Sequence, residues 1–349
     1  MLLYCRRKLG GWSDYMSLKI GIFSFAHMHA YSYASAIINS PGVTIAGITD
    51  TDAMRGNKAA DEFETQYFSS ERELLEEDLD GVIVTSENVH HRSLVEQAAN
   101  AGVKAILCEK PIATSLEDAK SMIKCCEKQG VKLYIAFPCR YSPAFRSLKR
   151  TIHNGAIGEV LAIRGTNRGK VPGGWFVDRR LSGGGAIIDH TVHVADLNYL
   201  LLGCEATEVY AESGNGFYHD TWEDTGVLTI SYENGVVSTL DTSWSKPNCY
   251  PAWGDVTLQV VGSQGISEMD MFAEHMNCYR DNEGRAYWLP LGVDIDECLI
   301  ADYIRAVGGQ DAPDLATGID GLRTLNIALS AYKSVDDGRP VPIHPGRRF

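Results

Sequence analysis

From Leu18 onward, short apolar runs alternate with amphipathic stretches at a regular rhythm. Lys19–Phe23 and Val43–Thr49 are apolar, β-rich and too short for helices, so they read as buried strands. Between them Ala30–Asn39 carries a helical pattern, closed by the turn signal Ser40-Pro41-Gly42. A second helix is predicted over Ala53–Phe63, then strands at Gly81–Thr85, Ala105–Cys108 and Lys132–Ala136, separated by helices at His91–Ala101 and Leu116–Lys128. Strand and helix alternating in this way predict an α/β unit, a doubly wound parallel sheet of Rossmann type covered on both faces.

The pattern changes after about Pro138. β-rich segments run over Gly158–Thr166, Thr207–Ala211, Gly226–Tyr232, Val236–Ser243 and Val256–Gly262. Glu233-Asn234-Gly235 is a hairpin signal, and the set predicts a large, mostly antiparallel sheet. Helical patterns return at Ile187–Leu202, Ile295–Val307 and Gly318–Ser334, making this half α+β. A chain of 349 residues exceeds one ordinary core. The expected division is a nucleotide-binding domain over 17–138 and a substrate-binding and oligomerisation domain over 139–349. Residues 1–16 read as a disordered leader, or as an over-extended start ahead of Met16. Arg6-Arg7 invites a twin-arginine export reading, but Gly10-Gly11-Trp12 follows where an apolar run should stand.

Composition narrows the class. Hydrophobic residues at 44% and charged residues at 22% are those of a soluble enzyme. The net charge of −13 disfavours nucleic acid and anionic membrane as partners of the whole surface. No run approaches the roughly 18 apolar residues of a membrane span. The nine cysteines lack the spacing of a zinc site, so reduced thiols in a cytoplasmic protein are expected.

A Rossmann domain carries its phosphate loop directly after the first strand, usually as GxGxxG. Here the six residues are Ser24, Phe25, Ala26, His27, Met28 and His29, so each glycine position is substituted. Small residues at the first two positions keep the approach to backbone amides open, whereas His29 implies altered packing or a pyrophosphate contact. For His27 and His29, packing roles outweigh catalysis on the sequence alone. Asp50 ends the second strand 26 residues after Ser24, where a carboxylate can bind ribose hydroxyls and repel a 2′-phosphate. That favours NAD, with NADP possible; capping of the next helix is the alternative use of Asp50 or Asp52.

At Cys108-Glu109-Lys110-Pro111 the chain resembles the glucose-fructose oxidoreductase, inositol dehydrogenase and rhizopine-catabolism (Gfo/Idh/MocA) family. The resemblance extends from about Leu18 to Ile343. Thr85, Asn88 and His91 look like that family's Thr-x-Pro-Asn-x-x-His loop, with Glu87 in place of the proline. Arg140-Tyr141-Ser142-Pro143 resembles the opening of its second domain. Gly183-Gly184-Gly185, Asp189, His193 and Asp196 are similar to its glycine-led Asp-x-x-x-His run.

The resemblance implies a nicotinamide-dependent oxidoreductase acting on a sugar, sugar acid or cyclitol. It implies cofactor contacts from Thr85, Asn88, His91, Glu109 and Lys110 beside those of the phosphate loop and Asp50. It also implies a cis bond before Pro111 and a homodimer or homotetramer built on the open sheet face.

Hydride removal from an alcohol needs a base near neutral pH and a donor for developing alkoxide charge. His193 suits the first role and Lys110 the second, and Asp189, four residues from His193, shares its helix face and could hold a substrate hydroxyl. Arg140 and Trp175, the latter in the glycine- and aromatic-rich run 170–180, join them as candidate substrate contacts. A metal held by Asp189, His190 and His193 fits the spacing, but hydride transfer needs none and no metal is expected. Two other readings stay open: an NAD-dependent glycoside hydrolase or lyase working through transient oxidation, and a non-catalytic sensor of dinucleotide or sugar. The cluster His219, Asp220, Trp222, Glu223 and Asp224 has no assigned role.

Overall fold

The computed structural model describes residues 17–344, so the expected leader over 1–16 lies outside the described residues. The first half runs β1 (Leu18–Phe23), α1 (His29–Ile38), β2 (Val43–Thr49), α2 (Ala53–Glu62), β3 (Tyr67–Phe68), α3 (Glu71–Leu75), β4 (Gly81–Val84), α4 (His91–Asn100), β5 (Ala105–Cys108), α5 (Leu116–Gln129) and β6 (Lys132–Ile135). The second begins with α6 (Pro143–His153), β7 (Val160–Thr166), α7 (Arg179–Ser182), α8 (Ala186–Leu202), β8 (Ala206–Gly214), β9 (Thr225–Tyr232) and β10 (Val237–Asp241). It ends with β11 (Thr257–Gly262), β12 (Gly265–Asp270), β13 (His275–Arg280), β14 (Arg285–Pro290), α9 (Ile295–Val307), β15 (Ala316–Thr317), α10 (Gly318–Asp337) and β16 (Val341–Pro342).

Strands β3, β2, β1, β4, β5 and β6 lie side by side in that order and all parallel, with β1 central. This is the doubly wound order, and it puts the loops after β1, β2, β4 and β5 along one edge, where such sheets bind ligands. Ile20 and Ile22 are fully buried, as is the run Val82–Val84, which is why these strands read as continuous apolar runs. Each such side chain stabilises the fold by about 1.5–3 kcal/mol through burial. The second sheet has the order β12-β11-β7-β10-β9-β8-β16, antiparallel except where β10 runs parallel to β7.

A segment from beyond residue 138 returns to the first sheet. Helix α9 packs its buried residues Leu299, Ile300, Tyr303 and Val307 against Ile20, Ile22, Ile83 and Leu107 of the first sheet. Tyr303 Oη donates to the carbonyls of Val82 (2.9 Å) and Ala105 (3.0 Å). Strand β15 then pairs antiparallel with β6 and extends the nucleotide-domain sheet. The face of the first sheet around β1 is thus covered by a segment that arrives late in the chain.

Arg140, in the turn Pro138–Tyr141 that opens the second half, is tied to α8 and α10. Its guanidinium makes a bidentate pair with Asp196 of α8, at 2.6 and 2.5 Å, and lies 3.4 Å from Asp320 of α10. It also donates to the Asp314 carbonyl at 3.4 Å. With its donors engaged this way, Arg140 is a structural strut, and the substrate contact expected of it is set aside. Arg140→Ala would leave Asp196 charged and buried without a partner. We expect a loss of about 3–5 kcal/mol, measured by urea unfolding. A double replacement that also removes Asp196 should recover part of it; a loss under ~1 kcal/mol in the single variant would contradict this role.

Candidate active site

Helix α8 begins in close quarters. A Cβ on Gly184 would overlap Tyr332 Oη, and one on Gly185 would overlap the Glu223 carbonyl, so only glycine permits the approach. The helix N-cap, Gly185, has no side chain to offer; Glu223 serves instead, accepting from the amides of Gly185 (2.8 Å) and Ile187 (3.4 Å). Tyr332 Oη donates to the same carboxylate. Anchored in this way, α8 presents Asp189 and His193 from successive turns, both nearly fully buried.

Lys110 reaches this pair from the other domain, two residues past the end of β5 and directly before Pro111, to which it is joined by a cis bond. Its Nζ donates to Asp189 Oδ1 at 2.6 Å. Burial works against the ammonium, but the charges of Asp189 and Glu109 outweigh it and hold the lysine pKa above its ordinary value. Burial likewise opposes the Asp189 carboxylate, yet the bonded Lys110 ammonium keeps it well below the usual carboxylate range. Asp189 Oδ2 accepts from Trp244 Nε1 at 3.1 Å. Asp189 is therefore the counter-ion of Lys110, where the sequence suggested a holder of a substrate hydroxyl.

His193 sits beside them with Nδ1 3.8 Å from Cys139 Sγ. Burial, then the Lys110 ammonium, pushes its pKa well below 6.5, so the ring is neutral at physiological pH. Burial raises the Cys139 thiol to about 12, so it stays protonated.

The phosphate loop keeps the turn without its glycines. Ser24 adopts φ +72°, the left-handed region that the first glycine usually supplies. Its Oγ accepts from the Ala26 amide at 3.1 Å and lies 3.3 Å from Asp50 Oδ2. Thr85 closes the loop from β4, donating Oγ1 to the Ser24 carbonyl (2.6 Å) and accepting from the His27 amide (2.9 Å). Phe25 is buried under α1, whereas Met28 projects from the loop with 58% of its surface exposed. A loop that reproduces the fingerprint's turn at the edge of a parallel sheet fits a dinucleotide.

Asp50 is more engaged than its sequence position suggested. It accepts from the Phe25 amide (2.7 Å) and the Asp52 amide (2.8 Å), and forms a two-pronged pair with Arg55 at 2.8 and 2.6 Å. Glu87, the residue in place of the family's proline, lies 3.8 Å from the same guanidinium. The helix-capping role falls to Asp52, which accepts from the amides of Met54 and Arg55. Arg55 neutralises the carboxylate that was expected to repel a 2′-phosphate, and sequence position alone did not reveal it.

The remaining expected residues shape the cleft. Asn88 Nδ2 donates to the Ser182 carbonyl across the domains (2.8 Å), and its Oδ1 is buried without a partner. His91 lies between the carbonyls of Pro111 (3.0 Å) and Ser86 (3.3 Å). Trp175 stacks on Phe176 at 3.9 Å and donates Nε1 to the Ala26 carbonyl (3.0 Å), so its indole faces the phosphate loop.

Glu109 is buried and accepts from Tyr33 Oη (2.6 Å) and the Lys110 amide (3.0 Å), with His29 Nδ1 at 3.1 Å. Burial opposes its charge, but His29 and Lys110 hold its pKa well below the usual range. His27, His29 and Glu109 bring potential ligand atoms within 4.8 Å of one another, as a metal site would. However, the His29 amide donates to His27 Nδ1 at 3.2 Å, which uses that lone pair. The proton of the neutral ring then sits on Nε2, the nitrogen nearer Glu109, and a protonated nitrogen does not ligate. Burial lowers His27 to about 3, in keeping with a neutral ring. In place of the missing glycines, His29 bonds directly to Glu109, while the buried His27 Nε2 lies 3.7 Å from it and has no hydrogen-bond partner.

Two comparisons with known families fit this geometry. Residues 18–137 match an oxidoreductase family with an NAD-binding Rossmann fold, and residues 145–268 match the GFO/IDH/MocA C-terminal domain. The chain belongs to the Gfo/Idh/MocA family. It is 30% identical over 316 residues to the uncharacterized oxidoreductase YrbE of Bacillus subtilis, covering 87% of this chain and 90% of that one. It is 29% identical to 1,5-anhydro-D-fructose reductase of Ensifer adhaerens, covering 91% and 96%. In fold it is similar to GenD2 from gentamicin A biosynthesis, solved in complex with NAD, with a TM-score of 0.84 at 23% identity, covering 96% and 99%. This Gfo/Idh/MocA protein is an NAD(P)-dependent oxidoreductase with an NAD-binding Rossmann domain.

Arg55 gives a test of the adenosine end. In Arg55→Ala the Asp50 carboxylate loses its cation, and NADP should lose about tenfold in affinity relative to NAD, ~1.4 kcal/mol. Fluorescence titration with both reduced cofactors reads the ratio; an unchanged ratio would place the adenosine ribose away from Asp50.

Proposed function

We propose that this enzyme oxidises a secondary hydroxyl of a sugar, sugar acid or cyclitol, or reduces the corresponding ketone. The observation that supports it best is the buried Lys110–Asp189 pair, one partner from each domain, with His193 one helical turn beyond Asp189. Relatives whose names state a sugar substrate, such as 1,5-anhydro-D-fructose reductase, support the substrate class. Bound at the phosphate loop, the nicotinamide cofactor supplies the two-electron acceptor or donor.

The chain's own residues do the rest. Ser24, Phe25, Ala26, His27, Met28 and Thr85 shape the cradle for the pyrophosphate, with Asp50 at its adenosine end. Asn88, His91, Glu109 and Lys110 line the way to the nicotinamide end. Lys110 Nζ, held charged by Asp189, donates to the reacting oxygen and stabilises negative charge as the hydroxyl proton leaves. His193 Nδ1 faces the Cys139 thiol, which leaves Nε2 to receive that proton from the substrate. In the reducing direction Nε2 returns it. The buried walls keep water from both groups, which strengthens each interaction.

We also infer a homo-oligomer formed through the second sheet. Leu161, Val227, Val237 and Ile266, on strands β7, β9, β10 and β12, are each at least 40% exposed. Among the described residues no helix is long and apolar enough to cross a membrane.

A panel of sugars and polyols assayed in parallel with NAD and NADP tests the reading directly. Lys110→Ala is expected to lower kcat by a factor of about 10²–10⁴ with the fold intact. Near-normal turnover in that variant would overturn the mechanism. His193 accepts a proton only when neutral, so kcat/KM for oxidation should fall as pH drops through its pKa. Because that pKa is lowered, the fall should come well below pH 6.5, and His193→Asn should abolish this limb. An acid limb that survives in His193→Asn would assign the base elsewhere.

A further inference from the structure

The segment Trp222–Asp224, unassigned in the sequence, joins the start of α8 to one further side chain. Glu223 caps α8, as described above. The Asp224 carbonyl accepts from the Trp244 amide at 2.7 Å, and Trp222 packs edge-on against the Trp244 ring at 5.4 Å. Trp244 is 1% exposed, and its indole N–H points at Asp189 Oδ2. Resting on the active-site reading given above, we propose that Trp244 is a positioning residue: its N–H fixes the rotation of the Asp189 carboxylate so that Oδ1 meets Lys110.

An aspartate carboxylate rotates through a broad, roughly two-fold torsion, so a single contact at Oδ1 does not set its plane. Two groups stand near Oδ2. His190 Nε2 is 3.3 Å away, and its Nδ1 lies 3.1 Å from the Thr242 carbonyl, so a neutral imidazole has one proton for two facing acceptors. Burial, foremost, lowers His190, so a neutral ring cannot bond both acceptors at once. The Trp244 N–H is a donor in every protonation state. Its removal leaves Oδ2 buried without that bond, free to turn toward Lys110 or away from it, while the substrate and cofactor contacts stay in place.

Trp244→Phe keeps an aromatic ring, though a smaller one, and deletes the donor. The expected result is a kcat lower by about 10–100-fold, with KM and NADH affinity within about threefold of wild type. The alkaline limb of the kcat profile should move to lower pH, because Lys110, which faces Asp189, Glu109 and Cys139, is then less well matched to its counter-ion. Trp222→Phe disturbs the same packing without touching a donor to Asp189 and should leave kcat near normal.

Wild-type kcat and pH profile in Trp244→Phe, beside an inactive Lys110→Ala, would overturn this inference and leave the active-site reading standing. Full activity in Lys110→Ala would overturn that reading itself. A readout free of the Trp244 substitution uses indole-¹⁵N-labelled protein, in which one tryptophan N–H resonance should shift upfield in Asp189→Ala. Six unmoved indole resonances would also overturn the proposal.

Discussion

A lysine ammonium and an aspartate carboxylate, both withdrawn from water and contributed by different domains, hold this active site together. Desolvating two charges costs several kcal/mol per ion, and their mutual attraction offsets that only with good geometry and added hydrogen bonds. The surrounding structure is arranged to meet those conditions. The glycine run brings α8 close to Tyr332 and Glu223, and Glu223 completes the helix start. The Trp244 N–H satisfies the second carboxylate oxygen. A pair of this kind is weak evidence for stability, but it fixes where a buried positive charge sits.

The phosphate loop shows how one backbone shape can be reached by different means. Glycine permits a left-handed turn at no steric cost, whereas Ser24 adopts it as a residue that disfavours it. The hydrogen bonds from Ser24, Thr85 and Asp50 over-determine the turn and compensate for that preference. At the third position a histidine replaces the hydrogen atom that lets helix and strand approach, and its ring joins Tyr33, Glu109 and the buried His27. The substitutions are thus mutually consistent, although each alone departs from the pattern.

Much of this was legible in the chain. The strand–helix rhythm from Leu18 to Ala136 gave the parallel sheet, because strands buried on both faces must be apolar throughout. Glu109, Lys110, Asp189 and His193 stood out through their placement relative to a strand end and a glycine run. Long-range partnerships were not legible. Nothing local marks Arg55 as the partner of Asp50, Asp196 as the partner of Arg140, or Trp244 as a donor to Asp189. The two-residue strand β15 is too short to carry periodicity, and the apolar stripe of α9 does not say which sheet it covers.

That late return has a bearing on biogenesis. Ile20, Ile22 and Tyr33 belong to a face completed by Leu299, Ile300 and Tyr303, nearly three hundred residues downstream. While the ribosome is still delivering the second half, the nascent first half has an uncovered apolar side. Its final consolidation must await synthesis of almost the whole polypeptide, and an amino-terminal fragment cut at the apparent boundary would be a sticky, incomplete body rather than an autonomous module.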